Sequence, residues 1–309
     1  MPDDPNDHKP DHEFDGVTRL FIRTNPADDG SVPLAAGLQF WTSPDILIVK
    51  PGGAVGGEAV AMQPNQVRVT VWNGGGIPAV DAYVDAFVAD PSTVITPATA
   101  RLIGGDYVTV QGYNSHTLDL PWTPEAADAG HRCLIARVSL IAPPDTYTNP
   151  AIFDVVGDRH VAQRNIQVVS VAAGKSAAFR FLIRPVGRKG AAAVTLMAKE
   201  RTLEVQPEVL AQMSGCGGGL RAPKPLAGLG VRVLSGDEVR PGRTRLDPGS
   251  FKGSVTAKLA DGSGAQPAAV SFAVAPDEEP GRLHLVDVVQ MDQRSRRPQG
   301  GLTFVVKVS

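Results

Sequence analysis

Short runs of alternating apolar and polar residues succeed one another along most of the chain. The clearest is Gln66 to Trp72 (QVRVTVW), where Val67, Val69 and Val71 fall on one face, the period-two mark of a half-buried strand. Val17 to Arg23, Ile46 to Val49, Ala82 to Ala89, Tyr107 to Val110, Thr117 to Leu120 and Cys133 to Leu140 continue the series. A second series follows: Ile166 to Val171, Ala177 to Ile183, Ala193 to Ala198, Val231 to Leu234, Ser254 to Leu259, Val270 to Val274, Leu283 to Val289 and Leu302 to Val308. Helical spacing is scarce. Pro124 to Ala129 reads as one helical turn, and Gln206 to Met213 (QPEVLAQM) is the best helix candidate, with Pro207 tolerated in its first turn. Two groups of short strands separated by turn signals predict an all-β chain of two tandem antiparallel β-sandwiches.

The residues between the runs sharpen this picture. The chain of 309 residues holds 33 glycines and 26 prolines, well above the roughly 12% of an average protein. Neither residue suits long helices, and the surplus has no three-residue period, so collagen is excluded. Asn73 to Gly76 is predicted to end its strand with residues that accept positive φ. Asp28-Asp29-Gly30 lacks the further ligands of a calcium loop and reads as a tight turn. Gly174-Lys175-Ser176 has the tail of a phosphate-binding loop, but strands flank it, so a hairpin turn is expected. Pro143 to Asn165 is rich in turn residues and reads as the connection between halves. The expected organisation is a flexible acidic tail over residues 1–16, a sandwich over 17–160 and a second sandwich with one short helix over 161–309, without a close internal repeat.

Charge and cysteine content mainly exclude. Thirty basic and 32 acidic residues give a net charge of −2, so no general attraction to nucleic acid or anionic membrane is expected. No apolar run is long enough for a transmembrane helix, and Met1 to Asp15 is proline-rich and acidic, unlike an export signal. Cys133 and Cys216 fall in different predicted units and are expected to be reduced thiols.

Three stretches carry a family resemblance: Phe40 to Ile46 (FWTSPDI), Asn65 to Gly75 (NQVRVTVWNGG) and Gly130 to Leu134 (GHRCL). Together they resemble the immunoglobulin-like modules of bacterial surface and adhesion proteins, in particular the cell-adhesion-related domain of bacteria. Asp158 to Asn165 and Gly300 to Phe304 are similar to segments of such multi-module chains. The resemblance covers residues 40–165 and extends to the second half only by general pattern. It implies a domain that adheres, spaces or assembles without catalysis. Asp128 to Cys133 is similar to the approach to the immunoglobulin strand F, with His131 in the place of the tyrosine two residues before the cysteine. The partner cysteine is missing from Val67 to Trp72, so Cys133 is expected to be a small buried hydrophobe.

Candidate chemistry is sparse. No Gly-x-Ser-x-Gly elbow occurs, and the glycine clusters at 52–57, 74–76 and 215–219 precede no convincing helix, which argues against a nucleotide cofactor. His8 and His12 among tail carboxylates, and the His131–Cys133 pair, lack the second ligand pair of a closed metal site, so no metal or other cofactor is expected. His284 shares a strand face with Val286 and Val288 and reads as a core residue. Trp41, Tyr107, Tyr113, Trp122 and Tyr147 lie at predicted strand ends or loops, where aromatics serve either as plugs or as binding platforms. Asn114-Ser115-His116 and Gln293 to Arg297 (QRSRR) read as solvated turns. The expected function is a non-enzymatic adhesion or assembly protein with protein partners or self-association, and without nucleic acid or membrane insertion. A glycan-binding or substrate-targeting accessory module is the alternative, and a hydrolase with an unrecognised site comes third. The missing export signal fits a cytoplasmic protein or an exported particle, whereas the resemblance points to the cell surface.

Overall fold

The computed structural model describes residues 13–35, 38–56, 58–128, 132–185, 192–200, 228–239, 246, 250–259 and 265–309. The first half holds β1 (Leu20–Phe21), β2 (Ile46–Val49), β3 (Asn65–Asn73), β4 (Ala79–Ala89), β5 (Ala100–Val110), β6 (Asn114–Trp122), β7 (Cys133–Leu140), β8 (Asp145–Thr146) and β9 (Val161–Arg164). The second holds β10 (Ile166–Val171), β11 (Ser176–Ile183), β12 (Ala192–Glu200), β13 (Leu229–Ser235), β14 (Phe251–Lys252), β15 (Ser254–Leu259), β16 (Gln266–Val274), β17 (Leu283–Asp292) and β18 (Pro298–Val308). Among the described residues the only helical pieces are single 3-10 turns, one of them Ala126–Asp128 within the predicted helical turn. The protein is all-β. The helix predicted over Gln206 to Met213 and the loop around Cys216 lie outside the described residues, as do His8, His12 and His131.

Four sheets form. In one, β3 pairs with β6 on one side and with β1 and β2 on the other; in the second, the order is β5-β4-β7, with β8 and β9 both on β7. Their alternating apolar faces meet: Val67, Val69 and Val71 of β3 share one core with Val84, Ala86 and Val88 of β4. The remaining strands build the orders β10-β18-β17-β12-β15 and β11-β16-β13-β14 around a second core that includes Phe272, Val286 and Phe304. Full burial of a side chain of this size stabilises by about 1.5–3 kcal/mol. Pairing is antiparallel except for β10 with β18 and β13 with β14. His284 is fully buried on β17 beside Val286 and Val288, as its alternation predicts.

Three local expectations need correction. Gly74 to Gly76 do not take positive φ. They are small because the chain entering β1 crosses them: a Cβ on Gly75 would run into the Val17 carbonyl, and one on Gly76 would lie 2.5 Å from the Asp15 oxygen. Gly174-Lys175-Ser176 is a turn, with Gly174 at φ +72°, but not a hairpin. β10 pairs with β18 and β11 with β16, so the turn arches from one sheet to the other across the core. Pro143 to Asn165 is not a bare connection either, since it supplies β8 and β9 to the first half. At the amino terminus, the Phe14 carbonyl accepts hydrogen bonds from the Val17 and Gly76 amides, so residues 14–17 are tied to the sheet.

Strand pairing changes over at one residue, Asn165, between β9 and β10. It is fully buried and every polar group on it is used. Its amide nitrogen donates to the carbonyls of Ser92 and Gly301, both at 2.8 Å, and its side-chain oxygen accepts the Cys133 thiol at 2.7 Å. Its backbone N–H donates to Trp41, and its carbonyl accepts from Thr303. Around it, Thr303 Oγ1 accepts from Gln39 and from the Trp41 indole and donates to Asp287. Residues 91–93 also bond the end of β11: Leu182 N donates to Pro91 O and Thr93 N to Leu182 O. A third apolar cluster, including Phe40, Trp41, Phe87, Cys133 and Val289, covers this junction. Buried polar groups satisfied this completely hold the two halves in one register.

Candidate functional site: an exposed aromatic face

β4 carries side chains of different character on its two faces. Ala82, Val84, Ala86 and Val88 enter the first core, while Tyr83, Asp85, Phe87 and Ala89 project from the other side of the sheet. On that outer side Phe87 and Ala89 are covered by Phe40, Trp41 and the segment carrying Phe153 and Val155. The covering stops before Tyr83. There Tyr83 stands across the ladder from Tyr107 of β5 on one side and Ser139 of β7 on the other. The two rings are 5.1 Å apart and tilted by 54°. Tyr107 is 66% exposed, and Val80 (55%) and Ile141 (90%) extend the apolar surface around a concavity of about 510 Å³.

Local backbone features shape this face. A bulge between Ala79 and Ala82 puts Val80 and Asp81 at the rim, with Asp81 held at φ +55°. Bulges of this kind re-aim side chains near binding surfaces. Gly105, opposite Asp85, leaves room for the Tyr83 ring: a Cβ there would sit 2.6 Å from Tyr83 Cζ. A glycine in mid-strand commonly marks such a close approach.

One residue along the same face, Arg137 of β7 is enclosed. It donates to both Asp85 oxygens at 3.1 and 2.6 Å, and its guanidinium lies 4.8 Å from the Phe87 ring, 4.5 Å from Tyr147 and 5.5 Å from Phe153. Burial works against its charge, but the Asp85 carboxylate raises its pKa overall.

The other flagged side chains serve structure. Trp41 and Trp122 are buried, and Tyr147 roofs Arg137, so none of the three is an exposed platform. Tyr113 is 47% exposed at the β5–β6 turn, where its hydroxyl bonds Asp15. Asn114 to His116 begin β6 just after that turn. Gln293 to Arg297 is the exposed turn between β17 and β18, with Asp292 accepting from the amides of Arg294 and Ser295. Cys133 is fully buried, and burial pushes its thiol up to about 12. Asp28 is consumed by its turn, accepting from Thr24 and Gly30. Among the described residues no group of three or more His, Cys, Asp or Glu is arranged to hold a metal ion, and no helix is long and apolar enough to cross a membrane.

The most concentrated charge chemistry is His160, which sequence reading passed over. It is buried between two carboxylates, Nδ1 at 2.7 Å from Asp158 and Nε2 at 2.8 Å from Asp145. Asp145 also accepts from the Leu20 amide and Arg159, and Asp158 from the Thr148 amide. Burial opposes the imidazolium, yet both carboxylates together raise the His160 pKa. Burial likewise opposes both carboxylates, but the His160 bonds hold them low, Asp158 at about 2. With both ring nitrogens engaged, this histidine offers solvent no base; it clamps β1, β8 and the chain before β9.

No family model matches the chain. No curated protein matches it. Among solved structures it is similar to the CARDB domain of the PF1109 protein from Pyrococcus furiosus, which was crystallised with di-metal ions (18% identity over 35% of this chain and 77% of that one, TM-score 0.24). The collagen adhesin of S. aureus matches over 86% of this chain and 93% of its own at 9% identity and TM-score 0.23. Red sea bream transglutaminase matches over 85% of this chain and 31% of its own at 14% identity and TM-score 0.22. An adhesin and an enzyme thus superpose equally loosely.

Proposed function

We propose that the chain is a non-catalytic adhesion or assembly module, two immunoglobulin-like sandwich units that meet at Asn165, and that it docks a protein partner on the Tyr83–Tyr107 face. The observation that carries this reading is the contrast along one sheet face. Its inner end is sealed by Phe40, Trp41 and Phe153, whereas its outer end leaves Tyr107, Val80 and Ile141 exposed around a half-buried Tyr83. Tyrosines in a shallow apolar surface supply much contact area at low entropic cost and dominate many protein interfaces. The polar lock at Asn165 supports a spacer role, because it fixes where the face sits relative to the second unit. Quantitative pull-down with wild type and a folded Tyr83→Ser, Tyr107→Ser double variant tests this. Proteins retained by the wild type are expected to be lost from the variant. Retention unchanged by the double variant would contradict the reading.

A further inference from the structure

We infer that the Tyr83–Tyr107 face takes an arginine side chain from its protein partner. This rests on the docking role proposed above and names the chemistry of the partner. The sheet already displays the arrangement once: Arg137 lies against aromatic rings of this face while its fork is held by Asp85. One residue pair along β4, the open end repeats the ingredients, with Asp81 as its carboxylate. Two tyrosine rings 5.1 Å apart present π faces and hydroxyls, and Asp81 lines the same concavity as the carboxylate. A planar guanidinium stacks on aromatic faces and pairs with a carboxylate at once, which an ammonium point charge does less well. Asp81 keeps a left-handed backbone within the bulge, in the lining that it shares with both tyrosines. A concavity of about 510 Å³ accommodates such a side chain together with flanking backbone.

The chain has four tyrosines, so ring-labelled tyrosine gives a readable spectrum of the intact protein. Titration with the peptides acetyl-Ala-Arg-Ala-amide, its citrulline analogue and its norleucine analogue is expected to shift Tyr83 and Tyr107, not Tyr113 or Tyr147, with the arginine peptide. The citrulline peptide should bind about five- to tenfold more weakly, and Asp81→Asn should weaken the arginine peptide by a similar factor. A norleucine peptide that binds as well would overturn the arginine assignment while leaving an apolar docking face in place. No shift of Tyr83 or Tyr107 at tens of millimolar arginine peptide, with pull-down still dependent on both tyrosines, would overturn it too. Sedimentation of the full chain separates the sources. A monomer agrees with arginine supplied by another protein, and self-association abolished by Tyr107→Ser would assign it to a second copy and overturn that source.

Discussion

The Tyr83 ring occupies the space where a side chain on Gly105 would stand, 2.6 Å from the position of the missing Cβ. The aromatic face therefore depends on a residue that has no side chain. Gly105→Ala is expected to displace the Tyr83 ring and to lower stability by about 1 kcal/mol, since the strained atom also approaches the Val84 carbonyl. Ring-labelled NMR and thermal unfolding check this together; an unmoved Tyr83 signal would show that the ring does not rest on Gly105.

Asn165 makes a second prediction. Asn165→Leu keeps the branched shape but leaves the Ser92 and Gly301 carbonyls without their donor in a buried site. A loss of about 2–5 kcal/mol is expected. Calorimetry should also show unfolding of the halves becoming less cooperative, because the residue belongs to both. A change below about 0.5 kcal/mol would mean the junction is held by its apolar cluster alone.

The His160 clamp predicts a stability window in pH. The raised imidazole contributes stability that is complete below its ordinary value of 6.5 and is lost as pH rises through the folded value. The lowered carboxylates contribute stability present above their ordinary 3.8 and lost as pH falls, for Asp158 toward about 2. The clamp is therefore strongest between about pH 4 and 6.5. His160→Gln should cost about 3 kcal/mol by removing the charged partner shared by two buried carboxylates and should flatten the alkaline limb of the profile. Denaturant midpoints from pH 3 to 9 measure both, and an unchanged alkaline limb in the variant would remove His160 as its cause.

Much of the fold was legible. Alternation located strands such as Val67-Val69-Val71, because one face is buried and the period is fixed at two, whereas β16 to β18 bury both faces and read as short apolar runs. Partner choice was not legible: the turn at Gly174 looks alike whether it closes a hairpin or arches between sheets. Glycine clusters betrayed their positions but not their cause, which at Gly75 is the approach of Val17. The site was half legible. Tyr107 is one of five aromatics that the sequence places at strand ends or loops, but Tyr83 is hidden within AYVDAFVA, whose tyrosine, aspartate and phenylalanine fall with Ala89 on the face opposite Ala82, Val84, Ala86 and Val88. That second face, with the mid-strand glycines of β5, was the signal available. Trp41 and Trp122 are buried, as the plug reading of aromatics beside turns expects.

Site-specific photocrosslinking tests the central claim most directly. Benzoylphenylalanine placed at Tyr107 in the full chain is predicted to give discrete adducts with the partner retained in pull-down, whereas the same group at exposed Lys252 gives none. Partner retention without an adduct at position 107, or equal adducts at both positions, would contradict docking on the Tyr83–Tyr107 face.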